Sequence, residues 1–123
     1  MYHVKELARL AGVTEHTIRF YTDQDLLPCR RDANHRRIFD ESAVETLTVI
    51  QCLKHCGMSI EAIKRYTDLY KLGDVSLHDR YQIILEQREL AYQRLQEAQE
   101  VVAYMEQKVA YYEQAMAAKS NNI

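Results

Sequence analysis

Glycine and proline are scarce, with three glycines and one proline in 123 residues. That scarcity excludes long flexible linkers, low-complexity tails and a turn-rich β-sandwich. Tryptophan is absent, and no apolar run approaches the about 18 residues that a membrane-spanning helix needs. No apolar signal segment follows the opening Met1-Tyr2-His3-Val4-Lys5-Glu6. Three cysteines cannot all pair within one chain, which fits a reducing compartment better than a secreted disulfide scaffold. A large excess of one charge is missing too, the net charge being −2. Together these absences predict a soluble, mostly helical, cytoplasmic protein with no membrane partner.

The small net charge hides an uneven distribution. Residues 1–40 hold 7 basic and 6 acidic groups, residues 41–76 hold 4 and 5, and residues 77–123 hold 5 and 7. Arg30, Arg31, Arg36 and Arg37 lie within eight residues, opposed there only by Asp32. Such a patch is either a phosphate-facing surface or a solvated face.

Helical apolar spacing at Leu7, Leu10 and Ala11 predicts a first helix over Val4–Leu10, stopped by Gly12. Val13 reads as the buried residue of a tight turn, and Thr14 as the N-cap of a second helix through Thr17, Ile18, Tyr21 and Thr22. Two short helices around a glycine form a helix-turn-helix, a pattern shared by DNA-binding and other helical proteins. Asp25-Leu26-Leu27-Pro28 ends the second helix, and Arg37-Ile38-Phe39 reads as a short strand returning alongside it after a polar segment. The arginine-bearing loop reads as a wing against a DNA backbone or as an exposed hairpin without a partner.

A third helix is predicted from Asp40 or Glu41 to Cys56, with Ala43, Leu47, Ile50 and Leu53 facing inward. Gly57 interrupts it, and Ser59 caps a fourth helix carrying Ala62, Ile63, Tyr66, Leu69 and Tyr70. This second helical pair either touches DNA through Lys64 or Arg65 or scaffolds the first pair. Gly73-Asp74 then forms a joint.

From Val75 onward no glycine or proline interrupts the chain. A 3-4 repeat places Tyr81, Arg88, Leu95, Val102, Val109 and Met116 at a, with Leu77, Ile84, Ala91, Ala98, Met105 and Tyr112 at d. Only Arg88 breaks the apolar rule. Some 40 residues at about 1.5 Å each make a helix roughly 60 Å long, which has no way to bury its stripe alone. The repeat therefore predicts pairing, most simply as a homodimer. Two heads would then read a near-palindromic site with twice the phosphate footprint. Thr14, His16, Thr17, Arg19 and Tyr21 are the candidate contacts of the recognition helix, Arg19 for a base edge or phosphate and Tyr21 for a phosphate through its hydroxyl. Ile18 and Phe20 cannot both be core, because helical neighbours point about 100° apart.

The run Val4-Lys5-Glu6-Leu7-Ala8, then Gly12-Val13-Thr14 and Thr17-Ile18-Arg19-Phe20-Tyr21, resembles the N-terminal signature of the MerR family. Leu26-Leu27-Pro28 follows in place, as do Arg31, Asn34, Arg37 and Phe39 of the wing, then Gly57-Met58-Ser59-Ile60 with Ile63-Lys64. The resemblance covers essentially the whole chain. It implies a mainly α fold, a winged helix-turn-helix head on a long C-terminal antiparallel coiled-coil dimerisation helix. Residues 1–73 would be the DNA-binding domain and residues 74–123 the linker and coiled coil. It also implies a dimer on double-stranded promoter DNA that bends and untwists a widely spaced promoter so that RNA polymerase engages it. Tyr21, Arg37 and Lys64 would hold phosphates, with Arg31 and Arg36 beside them on the wing. Two departures stand out: Asp25 and His35 occupy positions where glycine is usual, and Asp tolerates a left-handed backbone better than most residues.

The family implies a signal as well. An additional C-terminal ligand domain is expected to be absent, since the sequence stops just after the long helix. No cysteine follows Cys56, and the terminal Ser120-Asn121-Asn122-Ile123 offers no thiolate, so no metal and no cofactor are expected. Ile50-Gln51-Cys52-Leu53-Lys54, Gly73-Asp74 with Arg80, and Tyr111-Tyr112-Glu113 resemble a subgroup responding to aldehydes and other thiol-reactive electrophiles. Cys52 corresponds to that subgroup's cysteine and is the candidate sensor, with a structural core cysteine as the other reading. Cys56 reads as a buried free cysteine and Cys29 as an exposed one. A non-covalent effector, a repressor output or a coiled-coil adaptor role are the alternatives. No spacing of nucleophiles, carboxylates or the five histidines selects an enzyme.

Overall fold

A computed structural model describes residues 1–121; Asn122 and Ile123, the end of the segment read above for its lack of thiolates, lie outside the described residues. The elements run β1 (Tyr2–His3), α1 (Val4–Ala11), α2 (Glu15–Asp23), β2 (Arg30–Arg31), β3 (Arg37–Phe39), α3 (Glu41–His55), α4 (Ile60–Tyr70), a 3-10 turn (Gly73–Ser76) and α5 (Leu77–Asn121). Among the described residues, no helix is long and apolar enough to cross a membrane. The fold is mainly helical with one small antiparallel sheet, as expected.

Each helix of the head begins and ends where local chemistry places it. Gly12 closes α1 in a left-handed conformation at φ 70°, with its N–H donating to the Arg9 carbonyl. Thr14, Asp40 and Ser59 cap α2, α3 and α4, each side chain accepting from the backbone N–H three residues on. The two departures from glycine adopt the left-handed backbone that glycine would supply, Asp25 at φ 57° and His35 at φ 60°. Holding an L-residue there costs about 1–2 kcal/mol, partly offset because glycine loses more freedom on folding. Asp25→Gly is therefore expected to raise stability by about 0.5 kcal/mol. A small upward shift of the denaturation midpoint checks it, and a lower midpoint would mean that the Asp25 side chain matters more than its backbone.

The core gathers Leu7, Ile18, Leu26, Leu27, Phe39, Ala43, Leu47, Ile50, Met58 and Ile63 from every helix of the head and from β3. Two expectations change on packing, and one holds. Ala8, not Leu10, joins Leu7 inside; Leu10 sits at the edge of the helical face and is exposed. Ile18 is buried and Phe20 exposed, as their angular separation requires. The strand Arg37–Phe39 does not lie against α2 alone. It is the centre of a three-stranded sheet, antiparallel to β1 through Tyr2↔Phe39 and His3↔Ile38, and to β2 through Arg30↔Ile38 and Arg31↔Arg37. Two residues at the N-terminus carry too little pattern to announce a strand, so β1 is visible only once β3 is beside it.

The compact unit holding this core runs from Met1 to Ile83, past the 1–73 boundary read from sequence, and a second unit begins at Ile84. Ser76 and Ile83 are buried in the first unit and extend it. Ser76 Oγ lies 2.5 Å from the Leu69 carbonyl and 2.7 Å from that of Gly73. Arg80 donates to Ser76 Oγ at 3.0 Å and to the Gly73 carbonyl at 3.1 Å, with its guanidinium 5.3 Å from the Tyr70 ring centre. The joint is thus clamped rather than slack. In the second unit, the seam positions Ile84, Ala91, Leu95, Ala98, Val102, Met105, Val109 and Tyr112 are all exposed within the single chain, as is Leu77 at the start of α5.

Candidate nucleic-acid interface

Cations from three separate elements meet on one concave face of the head. Lys5 of α1, Arg19 of α2, and Arg31, Arg36 and Arg37 of the wing line a cavity of about 340 Å³, together with His3 and His35. The wing residues are separated from Arg19 by the Leu-Leu-Pro segment in sequence, and sheet formation brings them together. The sequence gives no signal for Lys5 and His3 at this cavity; their place there depends on β1 pairing with β3.

The wing tip is ordered by Asp32. Its Oδ1 accepts from the backbone N–H of Asn34 and of Arg36, each at 2.9 Å. The Arg36 N–H, followed by that of Asn34, holds the Asp32 carboxyl below the usual aspartate range against the opposing cost of desolvation. Its Oδ2 pairs with Arg36 Nε at 3.4 Å and lies 3.4 Å from His3 Nε2. His3 Nδ1 is 3.2 Å from Glu6, whose carboxylate also accepts from the His3 backbone N–H at 3.3 Å. His3 therefore links the start of α1 to the wing. Arg31 donates to the His35 carbonyl at 2.9 Å and closes the hairpin.

Carboxylates already accompany most of these cations. Arg19 pairs with Glu15 at 3.2 Å, and Arg37 with Asp23 at 3.0 Å. The Arg37–Asp23 pair joins β3 to the end of α2. Exposed pairs of this kind are worth about 0–1 kcal/mol, which leaves the guanidinium groups available to a phosphate.

The other sequence-predicted contacts are placed differently. His16 is exposed on α2, but the Thr14 and Thr17 hydroxyls are 2.9 Å apart and Thr14 Oγ accepts from Thr17 N–H at 3.1 Å, so both serve the cap. Tyr21 is only 6% exposed, and burial raises its pKa. Its ring is part of the core, so a phosphate contact would be made by the hydroxyl alone. Lys64 lies outside the basic cavity. Its ammonium is 3.5 Å from Asp25 Oδ2 and 3.4 Å from Asp68 Oδ2, and it donates to the Asp25 carbonyl at 3.4 Å. These pairs tie α4 to the turn after α2 and are exposed like those of Arg19 and Arg37. Cys52 is exposed, not core, and so is Cys56, against the expectation of a buried thiol. Both stand on the outer face of α3, because the inner face is taken by Ala43, Leu47 and Ile50.

A winged helix-turn-helix with this cation cluster has clear relatives. A family described as "MerR HTH family regulatory protein" matches residues 2–69, and a second, "MerR, DNA binding", matches residues 44–116. The chain belongs to the MerR family. An uncharacterised HTH-type transcriptional regulator of Haemophilus influenzae is 31% identical over 117 residues, covering 94% of this chain and 87% of that protein. The crystal structure of HiNmlR, a MerR family regulator lacking the sensor domain, bound to promoter DNA, matches with a TM-score of 0.71 at 31% identity, over 94% of this chain and 93% of that one. AdhR of Bacillus subtilis is 31% identical over 88 residues, 71% of this chain but only 63% of AdhR. These MerR-family relatives are transcriptional regulators, not enzymes, and this MerR chain is a DNA-binding transcriptional regulator.

Proposed function

We propose that this regulator acts as a homodimer paired through α5, setting two heads on a near-palindromic promoter site. The convergence of Lys5, Arg19, Arg31, Arg36 and Arg37 on one concave face carries the reading, because a curved phosphate backbone needs cations from several elements at once. Arg19 enters the groove or takes a phosphate, and the wing arginines hold the backbone beside it. Thr14, Thr17 and Tyr21 fix the recognition helix, while His16 stands exposed on it. Bending and untwisting the promoter costs energy that these contacts offset, and the deformed DNA lets RNA polymerase engage.

The signal we assign is a thiol-reactive electrophile, with Cys52 as the reacting group. Its exposure on α3 makes the sulfur accessible, and the resemblance to the aldehyde-responsive subgroup supplies the chemistry. An aldehyde would add to the thiol as a hemithioacetal, the sulfur bonding to the carbonyl carbon and the proton passing to the carbonyl oxygen. The adduct on α3 would then reset the heads.

In vitro transcription from the protein's own upstream region tests this, comparing wild type and Cys52→Ser with and without methylglyoxal. Aldehyde-dependent activation lost in Cys52→Ser is the expected result. An equal response in the two proteins would overturn Cys52 as the sensor and favour a non-covalent effector.

A further inference from the structure

Cys52 is not an isolated thiol. Cys56 lies one helical turn further along α3, as its C-cap, and the Cys56 N–H donates to the Cys52 carbonyl at 3.1 Å. The last turn is therefore intact through Cys56, and the two side chains stand on the same face with Cβ atoms about 5–6 Å apart. Both thiols are free and exposed, and both open on one shallow groove of about 500 Å³, bounded also by Thr48, Gln51 and His55.

This spacing selects what the pair can hold. A direct disulfide needs Cβ atoms about 3.5–4.5 Å apart, closer than an unbroken turn allows. One bridging atom between the sulfurs spans the difference without unwinding the helix. A zinc ion would need about four ligands. Among the described residues no group of three or more His, Cys, Asp or Glu is placed to hold a metal ion. The fitting centre takes two thiolates from the protein and brings its third substituent with it.

We infer that Cys52 and Cys56 form a dithiol chelate for a trivalent arsenical carrying one organic group. With phenylarsine oxide, two As–S bonds replace the As–O double bond, and the oxygen leaves as water with the two thiol protons. Arsenic stays trivalent, so no oxidant or reductant is consumed. The phenyl group lies in the open groove, and the bridge staples the last turn of α3. This inference extends beyond the single-cysteine sensing assigned above and does not rest on it.

The test is retention of arsenic on the full-length chain after one equivalent of phenylarsine oxide and a wash with excess 2-mercaptoethanol, a monothiol that competes with single S–As bonds but not with a chelate. Wild type and Cys29→Ser are expected to retain one arsenic per chain by mass spectrometry and to lose two titratable thiols. Cys52→Ser and Cys56→Ser are expected to retain less than a tenth of that, with far-UV circular dichroism showing the same helix content as wild type. Retention by Cys56→Ser at the wild-type level would overturn the chelate, as would one arsenic bridging two chains. If Cys56→Ser loses arsenic yet keeps its aldehyde response, the chelate and the sensing role of Cys52 stand separately. An aldehyde response that survives in Cys52→Ser would defeat the sensing role and leave the chelate untouched.

Discussion

Replacing Arg19 and Arg37 together with alanine is expected to weaken operator binding by about 10³-fold. Each chain loses two charged contacts and a two-headed protein loses four; at about 1 kcal/mol each the sum is about 4 kcal/mol. If these contacts go to phosphate, the dependence of log K on log salt should flatten by about 3–4, near 0.9 per phosphate released. Titrations by electrophoretic shift between about 50 and 200 mM salt read both quantities. Arg37 has a second role, because it also pairs with Asp23 at 3.0 Å and so joins wing to recognition helix. Asp23→Ala removes that pair while leaving the guanidinium, and separates the two effects. Unchanged affinity and slope in the double variant would place the DNA on a different face.

Val102→Asp combined with Val109→Asp is expected to abolish dimerisation at micromolar concentration. Both residues sit at successive a positions and are exposed in the single chain, so a partner helix is what would bury them. Burying a valine is worth at least about 1.5 kcal/mol, and the dimer contains four of these, giving about 6 kcal/mol before the cost of burying four carboxylates. The dissociation constant should rise by more than about 10⁴-fold. Sedimentation equilibrium would show the monomer mass, and operator affinity would fall with the loss of paired heads. A dimer mass retained by this variant would mean that the seam faces another way.

Helix starts and stops were legible because they are local chemistry. Thr14, Asp40 and Ser59 cap their helices through bonds spanning three residues, and Gly12 ends α1 through its own backbone. The left-handed turn at Asp25 was legible for the same reason, from the conformational tolerance of its side chain. The heptad pattern was equally plain, since the 3-4 repeat needs nothing outside α5. The sheet was only half legible: β3 could be read, whereas β1 consists of Tyr2 and His3 alone and exists by pairing.

The candidate site divides along the same line. The amino-acid order by itself determined that four arginines crowd the wing, that Arg19 rides on the second helix, and that Cys52 and Cys56 share one face of α3. Only the tertiary structure decided which cations meet. Lys5, Arg19 and the wing arginines line one cavity once β1 pairs with β3, while Lys64 stands outside it beside Asp25 and Asp68. It also decided that Tyr21 is core and that both thiols of α3 face outward. A helix's period fixes which residues share a face; which face turns inward depends on what the rest of the chain packs against it.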